Sequence, residues 1–323
     1  LALQIVDKST TGIVLLNMGG PDSLGAVKPF LKNLFNDRDI IRLGPSFLHN
    51  SIASIIIWRR LKKTLHAYSL IGGKSPLTEI TQRQADALQG ALNSGGLGKY
   101  RVSVGMRYWH PFIAETLHRL KAEGVKDLIG LSLYPQYSRA TSGSTIKVFE
   151  KTARDIGLSY KTITSWYDHP DYIECLAHTI REGMGLCDVR PFVLFSAHSL
   201  PKRFIDEGDP YVRHTEETVR LVTENLGLDR SGYTLAYQSK TGPVKWLEPT
   251  TEDTIVRLSR EGVKDLLIVP VSFVSDHIET LYEIDMLYKQ LAEGLNVRLY
   301  RSRSFNTDPR FIEVLKVLVI QCQ

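Results

Sequence analysis

Cysteine is scarce in this chain of 323 residues. Its three copies, Cys175, Cys187 and Cys322, form an odd set with no C-x-x-C spacing; that excludes a closed disulfide framework and fits free thiols in a reducing compartment. Long hydrophobic runs are missing too. None approaches the roughly 18 to 20 residues a spanning helix needs, so a soluble, cytoplasmic chain is expected. Charge of one sign is not in large excess: a formal +5 from 40 basic and 35 acidic residues implies no nucleic-acid partner and no strong attraction to acidic surfaces. Phosphate-binding signatures are lacking as well. No G-x-G-x-x-G follows the first strand-like run, and IGGKSP misses the P-loop pattern because Tyr68 stands where its first glycine belongs. No G-x-S-x-G elbow surrounds Ser196 or Ser199, which sets a serine-hydrolase reading aside.

What is present is a globular composition, 43% hydrophobic and 23% charged, long enough for one large core or two ordinary ones. The passage RLKAEGVKDLI from Arg119 returns as RLSREGVKDLL from Arg257, too far apart for a solenoid or propeller repeat. Each copy reads as a helix closed by a glycine, Gly124 or Gly262, and followed by a strand. The match extends upstream, with Pro111 and Pro249 predicted at the first helical position, and IVLLNMGGP from Ile13 resembles VLFSAHSLP from Val193. The runs GIVLLNM, YRVSVGM, DLIGLSLY, FVLFSA, YTLAYQ and DLLIVPVSF alternate with helix-period segments, the pattern of parallel sheets covered by helices. The chain therefore reads as a duplicated α/β unit joined near residues 160 to 170.

In open α/β sheets ligands bind beyond the carboxyl ends of the strands. His198, directly after FVLF, is placed there, where a neutral imidazole can take a proton or bind a metal; a packed strand-end histidine is the alternative. In SDHIETLYEID, Asp276, Glu279 and Glu283 recur at helical spacing beside His277. Clustered carboxylates suit proton acceptance or a metal, or else a capped, solvated first turn. Aiming so many of these side chains inward calls for a π-bulge, which no sequence pattern reveals. Ser51–Lys63, apolar and then basic, reads either as a buried helix or as a lip for an apolar anionic ligand or a membrane surface.

Taken together, LNMGGP, IGGKSPL, YPQYS, FSAHSLP, GDPY, YQSK with GPVKWL, and SDHIETLYEID resemble the ferrochelatase family, in order and over almost the whole chain. The resemblance implies an α/β fold of the class II chelatase kind: two similar doubly wound, Rossmann-like domains with parallel sheets, at 1–163 and 164–323, with the last helix packing back on the first. It implies insertion of Fe²⁺ into protoporphyrin IX, with the porphyrin between the halves and His198 and Glu279 on opposite sides of its ring, as catalytic groups and as iron ligands. Asp276, His277 and Glu283 would continue an acidic path. Met18, Arg60, Tyr68, Ser75, Arg107, Tyr108 and Trp246 would contact the porphyrin. Iron enters as substrate. No tightly bound cofactor is expected, and no iron–sulfur cluster, since Arg139 stands at the internal cysteine position of animal members. Peripheral contact with the inner membrane would run through Ser51–Lys63. Insertion of cobalt or nickel, a coproporphyrin substrate, and a non-catalytic porphyrin carrier are the alternatives.

Overall fold

The computed structural model describes residues 10–38, 49–94, 98–240 and 244–323. The Thr241–Pro243 part of the YQSK–GPVKWL passage therefore lies outside the described residues. The first half contains β1 (Thr11–Asn17), α1 (Val27–Asn36), α2 (His49–Leu70), α3 (Leu77–Ser94), β2 (Tyr100–Met106), α4 (Ile113–Ala122), β3 (Asp127–Ser132), α5 (Ser144–Asp155) and β4 (Ser159–Ile163). The second contains α6 (Pro170–Met184), β5 (Phe192–His198), α7 (Lys202–Asp206), α8 (Tyr211–Leu226), β6 (Tyr233–Gln238), α9 (Thr251–Arg260), β7 (Asp265–Pro270), α10 (Lys289–Gly294), β8 (Arg298–Arg301) and α11 (Pro309–Cys322). Two π-helical segments, Arg139–Gly143 and Glu279–Tyr288, precede α5 and α10.

Each half folds into a four-stranded parallel sheet, in the orders β2-β1-β3-β4 and β6-β5-β7-β8. The duplication holds to single-residue register. Ile13 pairs with Ile129 in one sheet and Val193 with Leu267 in the other; beyond the strands, Leu133 N donates to Leu16 O just as Val271 N donates to Ser196 O. By this register Met18 is the counterpart of His198, and Thr141 of Glu279. The chain turns sharply into β3 and β7 at Gly124 and Gly262, whose φ values of +87° and +90° suit glycine. Pro111 and Pro249 depart from the sequence expectation. Both follow cis peptide bonds and precede the N-caps Phe112 and Thr250 rather than occupying the first helical turn. Their carbonyls accept from Met106 N (2.8 Å) and Tyr237 N (2.9 Å), bonding each helix entry to the neighbouring strand end.

The outer face of the first sheet packs on α4 and α5 through Val14, Leu117, Leu128 and Phe149. That of the second packs through Leu194, Ile255, Ile268 and Tyr288. The inner faces do not form separate cores. One apolar layer runs from Ile13, Leu88, Val104 and Leu131 through Trp166 and Tyr172 to Phe195, Leu267 and Phe311, and α11 packs on α3 and β4 of the first half. A fourth cluster joins α1 and α2 through Val27, Phe30, Phe35, Ile57 and Tyr68, with Ile278 of the second half packed against it. That hairpin therefore sits beside the carboxyl edge of the second sheet. Along α2 the segment Ser51–Lys63 is half-buried: Ala53 and Ile57 are buried, while Ile55, Trp58, Arg59, Lys62 and Lys63 are exposed.

Candidate active site

β5 and β7 are neighbours in one sheet, so the residues just past their ends emerge side by side. His198 ends β5; Glu279 opens the π-helical segment that follows β7. Their side chains meet, with His198 Nδ1 2.9 Å from Glu279 Oε2. This corrects the expectation that a flat ring passes between them: both belong to the second half and touch at its carboxyl edge. The His198 backbone is fixed at both ends, its N–H donating to Ser272 Oγ (2.9 Å) and its carbonyl accepting from Tyr211 Oη (2.9 Å). The two side chains remain 31% and 23% exposed, so they face an open recess rather than solid protein.

The pair shifts in opposite directions. Burial alone would lower the His198 pKa, but the charge and hydrogen bond of Glu279 hold it above its ordinary value. Burial alone would raise that of Glu279; the charge and hydrogen bond of His198, with His277 close by, instead hold it far below the usual carboxylate range. With Glu279 ionised, Nδ1–H of His198 is the donor, and in the neutral imidazole Nε2 keeps its lone pair. His277 donates through Nδ1 to Ser275 O at 3.0 Å, and its Nε2 stands 3.8 Å from Glu279. The Phe273 ring packs edge-on to both imidazoles.

One turn on, Glu283 accepts from Ser239 N (3.1 Å), Gln238 Nε2 (3.2 Å), Tyr288 Oη (3.1 Å) and the Ser239 hydroxyl. Burial and the nearby Glu279 charge push its pKa up despite those donors. Asp276 does not extend this path, contrary to expectation. Its Oδ1 accepts from Arg301 (3.0 Å), Ser304 (2.8 Å) and Thr280 (3.1 Å), and its Oδ2 from Asn306 (2.8 Å). Burial would raise its pKa, but Arg301 and these donors hold it below the ordinary value.

The residues expected to contact a porphyrin divide into two sets. Met18, Tyr68 and Ser75 lie on the hairpin side of the recess: Met18 and Tyr68 belong to the cluster against which Ile278 packs, and burial together with the Glu279 charge raises the Tyr68 pKa. Ser75 N donates to Pro21 O at 2.7 Å, bonding the end of this hairpin to the loop after β1. Gly20 is required there, since a Cβ on it would fall 2.4 Å from Ser75 Oγ. Arg60 lies over the Phe35 ring at 5.4 Å. Trp246 flanks the turn after β5, bridging to Pro201, and its buried indole N–H has no hydrogen-bond partner. Arg107 and Tyr108 link this set to a second opening. Both bond Asp37, at 2.6 and 2.7 Å, beside a cavity of about 410 Å³ at the edge of the first sheet; the Tyr108 ring is also buried in the same cluster as Tyr68, and its N–H donates to Met18 O at 2.9 Å.

Sequence reasoning passed over Ser272, Tyr211, Phe273, Tyr288 and Arg301, and gave Gln238 and Ser239 no role. The available signal was position: Ser272 and Ser239 lie just past strand ends, as His198 does. For metal, His198 and Glu279 offer one nitrogen and one oxygen donor; among the described residues no group of three His, Cys, Asp or Glu side chains is arranged to hold an ion.

The family model described as ferrochelatase matches residues 10–322. The chain is 52% identical to the ferrochelatase of Geotalea uraniireducens and 51% identical to that of Geotalea daltonii, in each case over 96% of this chain and 97% of the relative. Among solved structures, SirB from Bacillus subtilis with Fe³⁺ aligns with a TM-score of 0.59 over 97% of this chain and 95% of that one, at 12% identity. That likeness bears on the fold, a pair of parallel sheets in the chelatase arrangement.

Proposed function

Because the chain belongs to the ferrochelatase family, and is thus a metal chelatase of haem biosynthesis, we propose that it inserts Fe²⁺ into protoporphyrin IX, with His198 and Glu279 as its central catalytic pair. The carrying observation is the 2.9 Å contact between them at the rim of an open recess. Metallation replaces two pyrrole N–H protons by one Fe²⁺, with no change of oxidation state. His198 Nε2 accepts the first proton, and the Glu279 carboxylate stabilises the imidazolium that forms. Glu283, held by Ser239, Gln238 and Tyr288, is the next station, where a raised pKa favours taking up the second proton and passing it to solvent. The same imidazole and the Glu279 carboxylate are the N/O donors that suit Fe²⁺ during delivery.

In this reading the ring lies against the recess face of the pair, not between its members. Met18, Tyr68 and Ser75 line the opposite side, Arg60 stands on the hairpin, and the Trp246 ring stands at the wall. Asp276 and His277 shape the helix start, and Tyr108 backs Tyr68 and Met18 from within the hairpin cluster, with Arg107 held beside it on Asp37.

An anaerobic fluorescence assay with Fe²⁺, run in parallel on protoporphyrin IX and coproporphyrin III, tests the proposal. The expected result is loss of protoporphyrin emission over many turnovers in the wild type. His198→Ala should retain porphyrin binding and lose about 10³-fold in rate, within the roughly 10²–10⁴-fold that a general base supplies. Stoichiometric quenching alone would indicate a carrier, and turnover restricted to coproporphyrin would change the substrate.

A further inference from the structure

The segment that carries His277, Glu279 and Glu283 is held in a geometry that helices rarely sustain. Most π-helical stretches are single-turn bulges within α-helices, yet Glu279–Tyr288 is π-helical for ten residues. Arg301, the last residue of β8, spans it. Its Nε and Nη2 pair with both Asp285 oxygens at 2.7 and 2.9 Å, and its Nη1 reaches Asp276 Oδ1 at 3.0 Å. One guanidinium thus joins a residue three positions ahead of the π-helix to a residue in its second turn, the latter through the bidentate geometry in which arginine binds carboxylates most firmly.

The duplicated fold supplies an internal comparison. By the strand register Arg301 corresponds to Thr162, since each pairs with the matching residue of the preceding strand, Ile268 or Gly130. Asp276 and Asp285 correspond to Ser138 and Lys147. Those three residue types cannot build a carboxylate–guanidinium–carboxylate bridge, and in that half the π-helical stretch is only five residues, Arg139–Gly143, before α5 begins. The long π-helix occurs in the half that has the clamp.

We infer that Arg301 is a positioning residue: by tying Asp276 to Asp285 it holds the helix start in π-helical form and so sets Glu279 against His198, with Glu283 behind it. Asp276 is a member of this clamp. The inference rests on the proposed insertion chemistry for its kinetic consequence, and on the fold alone for its structural one.

The test uses the full chain with Arg301→Gln, Arg301→Lys and Asp285→Asn, and reads amide hydrogen exchange over 279–288, porphyrin affinity, and kcat and KM for Zn²⁺ insertion into protoporphyrin. Arg301→Gln is expected to raise exchange over 279–288 about tenfold relative to the rest of the chain, as expected of a locally freed segment. It should also lower kcat about tenfold while KM for porphyrin changes less than about threefold. Arg301→Lys, which keeps the charge without the fork, should recover part of the lost kcat. Faster exchange with wild-type kcat, or slower turnover with unchanged exchange, overturns the inference. If Arg301→Gln does not fold, Asp285→Asn removes the more exposed partner and must show the same division between kcat and KM; a wild-type kcat there overturns it equally. A wild type that leaves protoporphyrin unmetallated sinks the proposed substrate instead, and the clamp then stands or falls on the exchange ratio.

Discussion

His198 and Glu279 hold each other's protonation states in place, and the sign of that coupling fixes how both activity and stability respond to pH. Insertion needs a neutral imidazole. Since Glu279 raises the His198 pKa above its ordinary 6.5, the acid limb of kcat/KM should lie above that value. Glu279→Gln removes the charge and leaves burial to dominate, so the limb should move to lower pH even as kcat falls; an unmoved limb in a kcat/KM profile for Zn²⁺ insertion would separate Glu279 from His198. Stability follows linkage. The His198 contribution is fully present below the ordinary 6.5 and fades as pH rises through its raised folded value; that of Glu279 is present above the ordinary 4.5 and fades as pH falls through its depressed one. The stability gap between wild type and Glu279→Gln should therefore be widest between pH 4.5 and 6.5, as melting curves across that range would read. The residue types and strand-end positions of the pair are legible in the sequence. Their contact is not, because it joins positions 81 apart in the chain through the adjacency of two strands. Nor is the diversion of Asp276, whose partners Arg301, Ser304 and Asn306 arrive from β8 and the turn beyond it.

Among the elements, six strands follow directly from apolar β-branched runs, and the two that escaped notice are explained by where they lie. β4 and β8 are sheet edges, and unlike the other two edges, β2 and β6, they are short and bury at most one residue. Edge strands need little apolar patterning and often carry charge, so SYKTI and RLYR give no clear period. α2 was ambiguous because its burial changes around the helix within one turn. Ile57 is 6% exposed and packs in the hairpin core, whereas Trp58 is 78% exposed next to Arg59, Lys62 and Lys63. Two substitutions one residue apart should thus act differently. Ile57→Ala removes buried side-chain volume and should cost about 2–5 kcal/mol of stability by denaturant unfolding. Trp58→Ala should change stability by no more than about 0.5 kcal/mol. It should nevertheless weaken flotation with vesicles containing anionic lipid, because an exposed indole beside three cations is the arrangement that binds such an interface. Equal flotation of wild type and Trp58→Ala would detach the outer face of α2 from any membrane role.

For the molecule as a whole, duplication suggests two units that could melt apart, but the packing argues for one. The inner faces of both sheets share a single apolar layer, α11 from the end of the chain packs on α3 and β4 of the first half, and Gln84 of α3 donates to Ser275 Oγ and Asn306 O of the second at 3.0 and 2.6 Å. Separating the halves would expose that layer and leave buried polar groups without partners, so unfolding either half removes support from the other. Calorimetry should accordingly show one transition. Leu315 in α11 is fully buried in the shared layer, so Leu315→Ala should cost about 2–5 kcal/mol and lower the melting temperature of the whole chain without splitting the peak. If the halves were energetically separate, the same substitution would instead resolve two transitions and displace the one to which α11 belongs. The distinction reaches the site, because the recess is built from the second sheet on one side and the first-half hairpin on the other: in a single cooperative unit, protection of His198-bearing β5 and of Tyr68-bearing α2 from hydrogen exchange should fall together in Leu315→Ala, not one before the other.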